Sequence, residues 1–145
     1  MLVCTFFGHR ECYALDMGEL QNAIEKLIEQ GVNMFYVGHH GGFDGMVHTC
    51  LKQLQKQYPH MQYAVVLTRL PEVKGKFDDF SDTVYPEGIE SVHPKYAINW
   101  RNKWMIAASD YCVCYVNHTW GGAYQFAKKA KSSGLTVINL GCATL

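Results

Sequence analysis

No broad field of one charge exists in this sequence. Lys and Arg number 13 and Asp and Glu also 13 among 145 residues, so counterion release onto nucleic acid has little to drive it, and any anion must be held locally. Long apolar runs are missing too. The opening Met1-Leu2-Val3-Cys4-Thr5-Phe6-Phe7 has neither the basic flank of a signal peptide nor the length of a membrane span. It is expected to be a buried first strand of a cytoplasmic protein with no membrane partner. The six cysteines form no Cys-x-x-Cys pair, which excludes the usual zinc and thioredoxin-like spacings and points to reduced thiols. Gly-x-Gly-x-x-Gly, Gly-x-x-x-x-Gly-Lys-Ser/Thr and His-Glu-x-x-His are all absent. No metal and no cofactor is therefore called for. Repeats, low-complexity tracts and linkers are also lacking, and residues 1–145 are expected to form one domain.

What is present is a core-forming apolar share of 48%, arranged with alternating periods. Strands are expected at 2–7, 33–37, 63–67, 110–116 and 136–140. The run Tyr63 to Leu67 is continuously apolar, as in a strand covered on both faces of a parallel sheet. Helices are expected at 17–30, with Leu20, Ala23, Ile24, Leu27 and Ile28 on one face and Gly31 as the stop, and at 44–57, with Val47, Leu51 and Leu54 inward. A third helix at 95–108 carries Ala97, Trp100, Trp104, Ala107 and Ala108 inward, and a fourth covers 123–132. Residues 69–94, with Pro71, Pro86 and Pro94, read as a long connection holding one short helical turn. Cys112 and Cys114, two apart on a strand, should face the same side as small core residues. The fold class is α/β, a Rossmann-like three-layer sandwich with a mainly parallel sheet of about five strands.

Three glycine-bearing turns fall at equivalent places: Gly8-His9-Arg10 after the first strand, Gly38 to Gly45 after the second, and Trp120-Gly121-Gly122-Ala123 after the fourth. In an open α/β sheet these loops lie at the carboxyl edge, where a ligand meets exposed N–H groups and helix N-termini. Candidate ligand-binding residues are therefore Gly8, His9, Arg10, Gly41, Gly42, Asp44, Gly121 and Gly122. Arg101 and Asn102 join them from the middle of an otherwise apolar helix. Arg101 is read either as a ligand contact or as a side chain snorkelling to water, and Asp44 as a ribose contact or a helix cap. Asp110 reads as an end-cap. His39 and His40 are adjacent, a poor geometry for one chelate face, and Cys12 near His9 is the one sequence-local nucleophile, without an identifiable carboxylate.

The ordered set Gly8-His9-Arg10, Gly41-Gly42-Phe43-Asp44, Arg101-Asn102-Lys103-Trp104-Met105 with Asp110, and Gly121-Gly122-Ala123 resembles the YpsA-like branch of the SLOG superfamily across nearly the whole chain. The resemblance implies a Rossmann-like fold whose glycine loops and arginine bind nucleotides or nucleotide-derived ligands. It also brings in the LOG branch, phosphoribohydrolases that use an arginine, matched by Arg101, and a Pro-Gly-Gly-x-Gly-Thr-x-x-Glu motif. Phe126 stands where that glutamate belongs, beside Gln125, and neither side chain replaces a carboxylate at a ribosyl centre. Asp44 and Glu87 are the acids left to substitute.

The leading expectation is a binding or sensing module for a nucleotide or ADP-ribose-like small molecule, with phosphate held by Gly8, Arg10, Gly121 and Gly122 and the pocket completed by Arg101 and Asn102. The alternative is a nucleoside-phosphate N-glycosidase; whether turnover occurs is left open. A single-stranded DNA-binding role like that of the DprA branch is the third reading. Balanced charge argues against such a nucleic-acid partner, although Lys128, Lys129 and Lys131 form a local basic strip. Trp100, Trp104 and Trp120, beyond what a small core needs, point to a homodimer.

Overall fold

Alternation along each strand sends neighbouring side chains to opposite faces, and the computed structural model, which describes residues 1–70 and 82–145, shows both faces covered. The chain runs β1 (Leu2–Gly8), α1 (Met17–Glu29), β2 (Val32–Val37), α2 (Gly42–Gln57), β3 (Gln62–Val66), β4 (Thr83–Val84), α3 (Ala97–Ala107), β5 (Tyr111–Tyr115), α4 (Gly122–Ser132) and β6 (Thr136–Asn139). Single 3-10 turns at Ile89–Ser91 and Pro94–Tyr96 precede α3. Cys4 and Phe6 of β1, Phe35 and Val37 of β2, and Val113 and Tyr115 of β5 pack with α1 and α2. Phe7, Val66, Cys112, Cys114 and Val116 pack on the other face with Met105 and Ile106 of α3 and Ala127 and Ala130 of α4. Cys112 and Cys114 thus share one side of the sheet. The architecture is a Rossmann-like three-layer sandwich.

Among the described residues the sheet has six strands, all parallel, in the order β4-β3-β2-β1-β5-β6. Periodicity predicts five; the sixth, β4, is too short to show a period and exists through its pairing with β3, where Val65 N–H donates to Asp82 O at 2.7 Å and Leu67 N–H to Val84 O at 2.8 Å. It lies in the expected long connection, of which residues 71–81, Pro71 included, lie outside the described residues. From β1 the chain winds outward through β2 to β3, then crosses back to place β5 on β1's other side, with Gly8 opposite Tyr115. That reversal sets the topological switch point between β1 and β5.

Gly31, at φ +101°, ends α1 in the left-handed conformation, with its N–H donating to Ile28 O at 3.0 Å. Asp110 works at the opposite, amino edge, where its carboxylate accepts the Val3 N–H at 3.0 Å. In α3 the inward face differs from the expected one. Ala97, Arg101, Asn102, Met105 and Ile106 are buried, Trp100 and Trp104 are half-buried, and Ala107 and Ala108 are exposed. Apolar residues lie all around this helix, so period alone does not choose a face; the choice falls to the polar groups at the carboxyl edge that receive Arg101. At 2% exposed, Arg101 does not snorkel. Among the described residues no helix is long and apolar enough to cross a membrane.

This face assignment is testable by urea unfolding. Met105→Ala should cost about 2–5 kcal/mol, as for other large-to-small core changes, whereas Ala107→Ser, on the exposed side, should stay within about 0.5 kcal/mol of the parent.

Candidate site at the carboxyl edge of the sheet

The ends of β1 and β2, the first turns of α2 and α4, and the inner face of α3 enclose a cavity of about 320 Å³ beside the switch point. Gly8, His9, Arg10, Asp44, Arg101, Asn102 and Gly122 all line it. Gly41, Gly42 and Gly121 do not, and their roles are structural. A Cβ on Gly42 would stand 2.5 Å from Arg10 O, which accepts the Gly42 N–H at 2.8 Å, so the β1–α1 loop rests on the start of α2. Gly41 and Gly121 adopt φ of +90° and +89° as the residues preceding α2 and α4. Gly122 differs from Gly42: a Cβ there would meet nothing, and the α4 N-terminus opens onto the cavity.

Arg101 is held from three directions. Its Nε donates to Asn102 Oδ1 at 2.9 Å, Nη1 to Val66 O at 3.1 Å, and Nη2 lies 3.4 Å from His40 Nδ1. Asp44 stands nearby without a direct ion pair, its carboxylate accepting the His40 N–H at 3.0 Å. That bond is cap-like, reaching back past Gly41 from the first turn of α2. Gly38 separates the two groups. A Cβ on Gly38 would lie 2.8 Å from the Asp44 carboxylate and 3.0 Å from the Arg101 guanidinium, so both side chains close over the end of β2 only because that position is bare.

This crowding displaces the titrations. Burial pushes the Asp44 carboxyl up to about 6, against the pull of the His40 N–H and of Arg101. Burial pushes His39 and His40 down to about 4; the His40 ring and then Arg101 add to the effect at His39, and Arg101 and Arg10 at His40. His9 is lowered by burial and by His118, and its Nε2 accepts the Asn117 N–H at 2.9 Å. Near neutral pH the three imidazoles are uncharged.

The opposite wall is apolar. Phe126 lines it, stacked on Phe7 with centroids 5.7 Å apart, and Met105, Ile98 and Ala123 complete it. The LOG-like glutamate position is thus a supported hydrophobic surface. Of the substitute acids, Asp44 faces the cavity, and Glu87 is exposed and does not line it. Ile98, Met105 and Phe126 are wall residues that sequence reasoning did not select, because aliphatic and aromatic positions carry no local signal that separates a pocket from a core, and His40, weighed there only as a metal ligand, also lines the wall. Two of the three tryptophans are explained by intramolecular packing: Trp104 meets Tyr36 edge-on at 5.2 Å and Trp100 packs by Gly88. Among the described residues no group of three or more His, Cys, Asp or Glu is disposed to hold a metal ion. The chain matches no protein-family model and no curated protein.

The site makes stability depend on pH with a definite sign. Below the ordinary imidazole value of 6.5 the unfolded chain binds protons that folded His39 and His40 refuse until about 4, so stability falls as pH drops through that window. Asp44 opposes this, since the folded carboxyl takes its proton at about 6 and the unfolded one only near 3.8. Two imidazoles outweigh one carboxyl. Thermal melts from about pH 7 to about pH 4.5 should show a falling midpoint, a shallower fall in the His39→Gln/His40→Gln variant, and a steeper one in Asp44→Asn.

Proposed function

We propose that this chain binds a nucleotide or nucleotide-derived phosphate in the carboxyl-edge cavity. The observation that carries the reading is the open α4 N-terminus at Gly122, facing Arg10 and Arg101 across a cavity at the switch point. Free N–H groups of a helix's first turn and its dipole suit a phosphate, and Arg10, exposed at the rim, adds a guanidinium fork. Not all Arg101 donors are consumed by its protein partners, and with Asp44 it offers a donor and an acceptor on either side of Gly38 to the polar groups of a ligand. The cavity lies at the small end of the range of roughly 300–1,000 Å³ for ligand pockets, which fits a nucleoside monophosphate. A larger ADP-ribose-like ligand would extend past His40 and Ile98 into the adjoining cavity of about 640 Å³. The resemblance to the YpsA-like branch of SLOG supports the same class by analogy.

A second reading, N-glycosidic hydrolysis, is favoured by one observation: a buried carboxyl, Asp44, faces the cavity with a pKa of about 6. A group titrating there exchanges a proton readily near neutrality and would act as general acid or base on the bond between base and ribose.

Both readings are separated by thermal shift against nucleoside mono- and diphosphates, ADP-ribose and NAD, followed by chromatography of each mixture. A ligand present at about a hundredfold over its Kd should add about 2.7 kcal/mol of stability. Recovery of intact ligand fits the binding module; a released base that disappears in Asp44→Asn fits the hydrolase. Absence of any shift at millimolar ligand would refute the nucleotide reading.

Gly122→Asp gives a sharper test. A Cβ there meets no neighbour, and an acid in a helix's first turn is worth about 0.3–1 kcal/mol, so the variant should fold at least as stably as the parent. Its carboxylate occupies the phosphate position, and the ligand-induced shift should vanish.

A further inference from the structure

Beside the cavity stands a column of three aromatic rings. The His118 ring lies on His9, with centroids 4.0 Å apart and planes 17° from parallel, and Trp120 lies on His118 at 3.8 Å and 18°. The column begins at a cavity wall, since His9 lines it, and ends in solvent, since Trp120 is 67% exposed with one indole face already covered by His118. Its outer residue directly precedes Gly121-Gly122, the turn that opens α4. Along the chain, Trp120 is thus two residues from the Gly122 that lines the cavity.

Several features hold the column in place. His9 is fixed by the bond from the Asn117 N–H to its Nε2, and its edge meets the Tyr115 ring at 6.1 Å. Gly121, at φ +89°, turns the chain so that Trp120 folds back over His118. His118 keeps its stacked orientation although its Nδ1 is shielded from solvent and has no hydrogen-bond partner. A buried polar atom left unsatisfied opposes stability, and its retention marks a place where packing alone does not explain the arrangement.

We propose that the open face of Trp120 is a stacking platform for the base of the bound nucleotide, the His9–His118–Trp120 column fixing where the base lies while the α4 N-terminus holds the phosphate. The proposal rests on the nucleotide reading of the cavity and specifies how base and phosphate are divided between two adjoining surfaces. Stacking on an aromatic plane accepts any planar heterocycle, and purines, with the larger face, gain most. Preorganisation matters here: an indole already clamped on one face loses little freedom when a base covers the other.

The test compares AMP with ribose 5-phosphate, which shares the phosphate and sugar and lacks the base, in titrations of the parent, Trp120→Ala and Trp120→Phe. The platform predicts that Trp120→Ala weakens AMP about tenfold or more, leaves ribose 5-phosphate unchanged, and is largely rescued by Trp120→Phe. It also predicts that AMP, and not ribose 5-phosphate, shifts the Trp120 indole N–H resonance while those of Trp100 and Trp104 stay in place. Equal loss for both ligands, no loss for either, or dissociation of a dimer with AMP affinity intact would overturn the platform and leave the cavity standing. Failure of the parent to bind either ligand would overturn the nucleotide cavity and the platform with it.

Discussion

Arg101 sits with its guanidinium beneath the carboxyl edge, 2% exposed, and a cation so placed is tolerated only where protein groups replace the water it has lost. Val66 O at the end of β3, Asn102 on its own helix and the His40 ring in the β2–α2 loop do this, so one side chain ties together the ends of two strands and the helix that crosses back to β5. The rest of the edge follows from it. Gly38 must be bare for the guanidinium to pass, His39 and His40 are kept neutral by burial with the fixed positive charge adding to it, and Asp44 lies on the other side of the same glycine. The Asp44 carboxyl still titrates high, because its burial outweighs the attraction of a guanidinium that it does not touch.

The sheet and its helices were largely legible in the sequence because the signals are local. Alternation through Cys112 and Cys114, the continuous run at Tyr63 to Leu67, and the glycine after α1 each report a single element, and each element lies within a residue of where its pattern put it. The two failures share a cause. Strand β4 exists only through its partner, and the buried face of α3 is selected by groups more than thirty residues away, as the separation between Arg101 and Val66 shows. A helix apolar on every side gives period no purchase, so the tertiary environment decides.

Legibility at the site divides the same way. The loops following β1, β2 and β5 converge because strand ends of a parallel sheet converge, and that much follows from topology. Which glycines open onto the cavity does not, since Gly42 and Gly122 look alike in sequence and differ only in whether Arg10 lies against them. The ring column is likewise invisible beforehand: His9 and His118 are over a hundred residues apart, joined by the pairing of β1 with β5.

Two helices, α2 and α4, begin at this edge after a glycine of nearly identical conformation, and they differ in what already occupies their first turns. At α2 the first N–H and the N-terminal field already have partners within the chain. The Gly42 N–H is taken by Arg10 O, Asp44 supplies a negative group in the first turn, and the same carboxylate takes the N–H of His40. At α4 the first turn holds no acid, the position after the positive-φ glycine is open, and Lys129 and Lys131 in the last turn complement the other end of the dipole. An anion entering the cavity thus meets one helix that has been internally neutralised and one that has not. On the proposed nucleotide reading, α4 is therefore the helix that receives the phosphate.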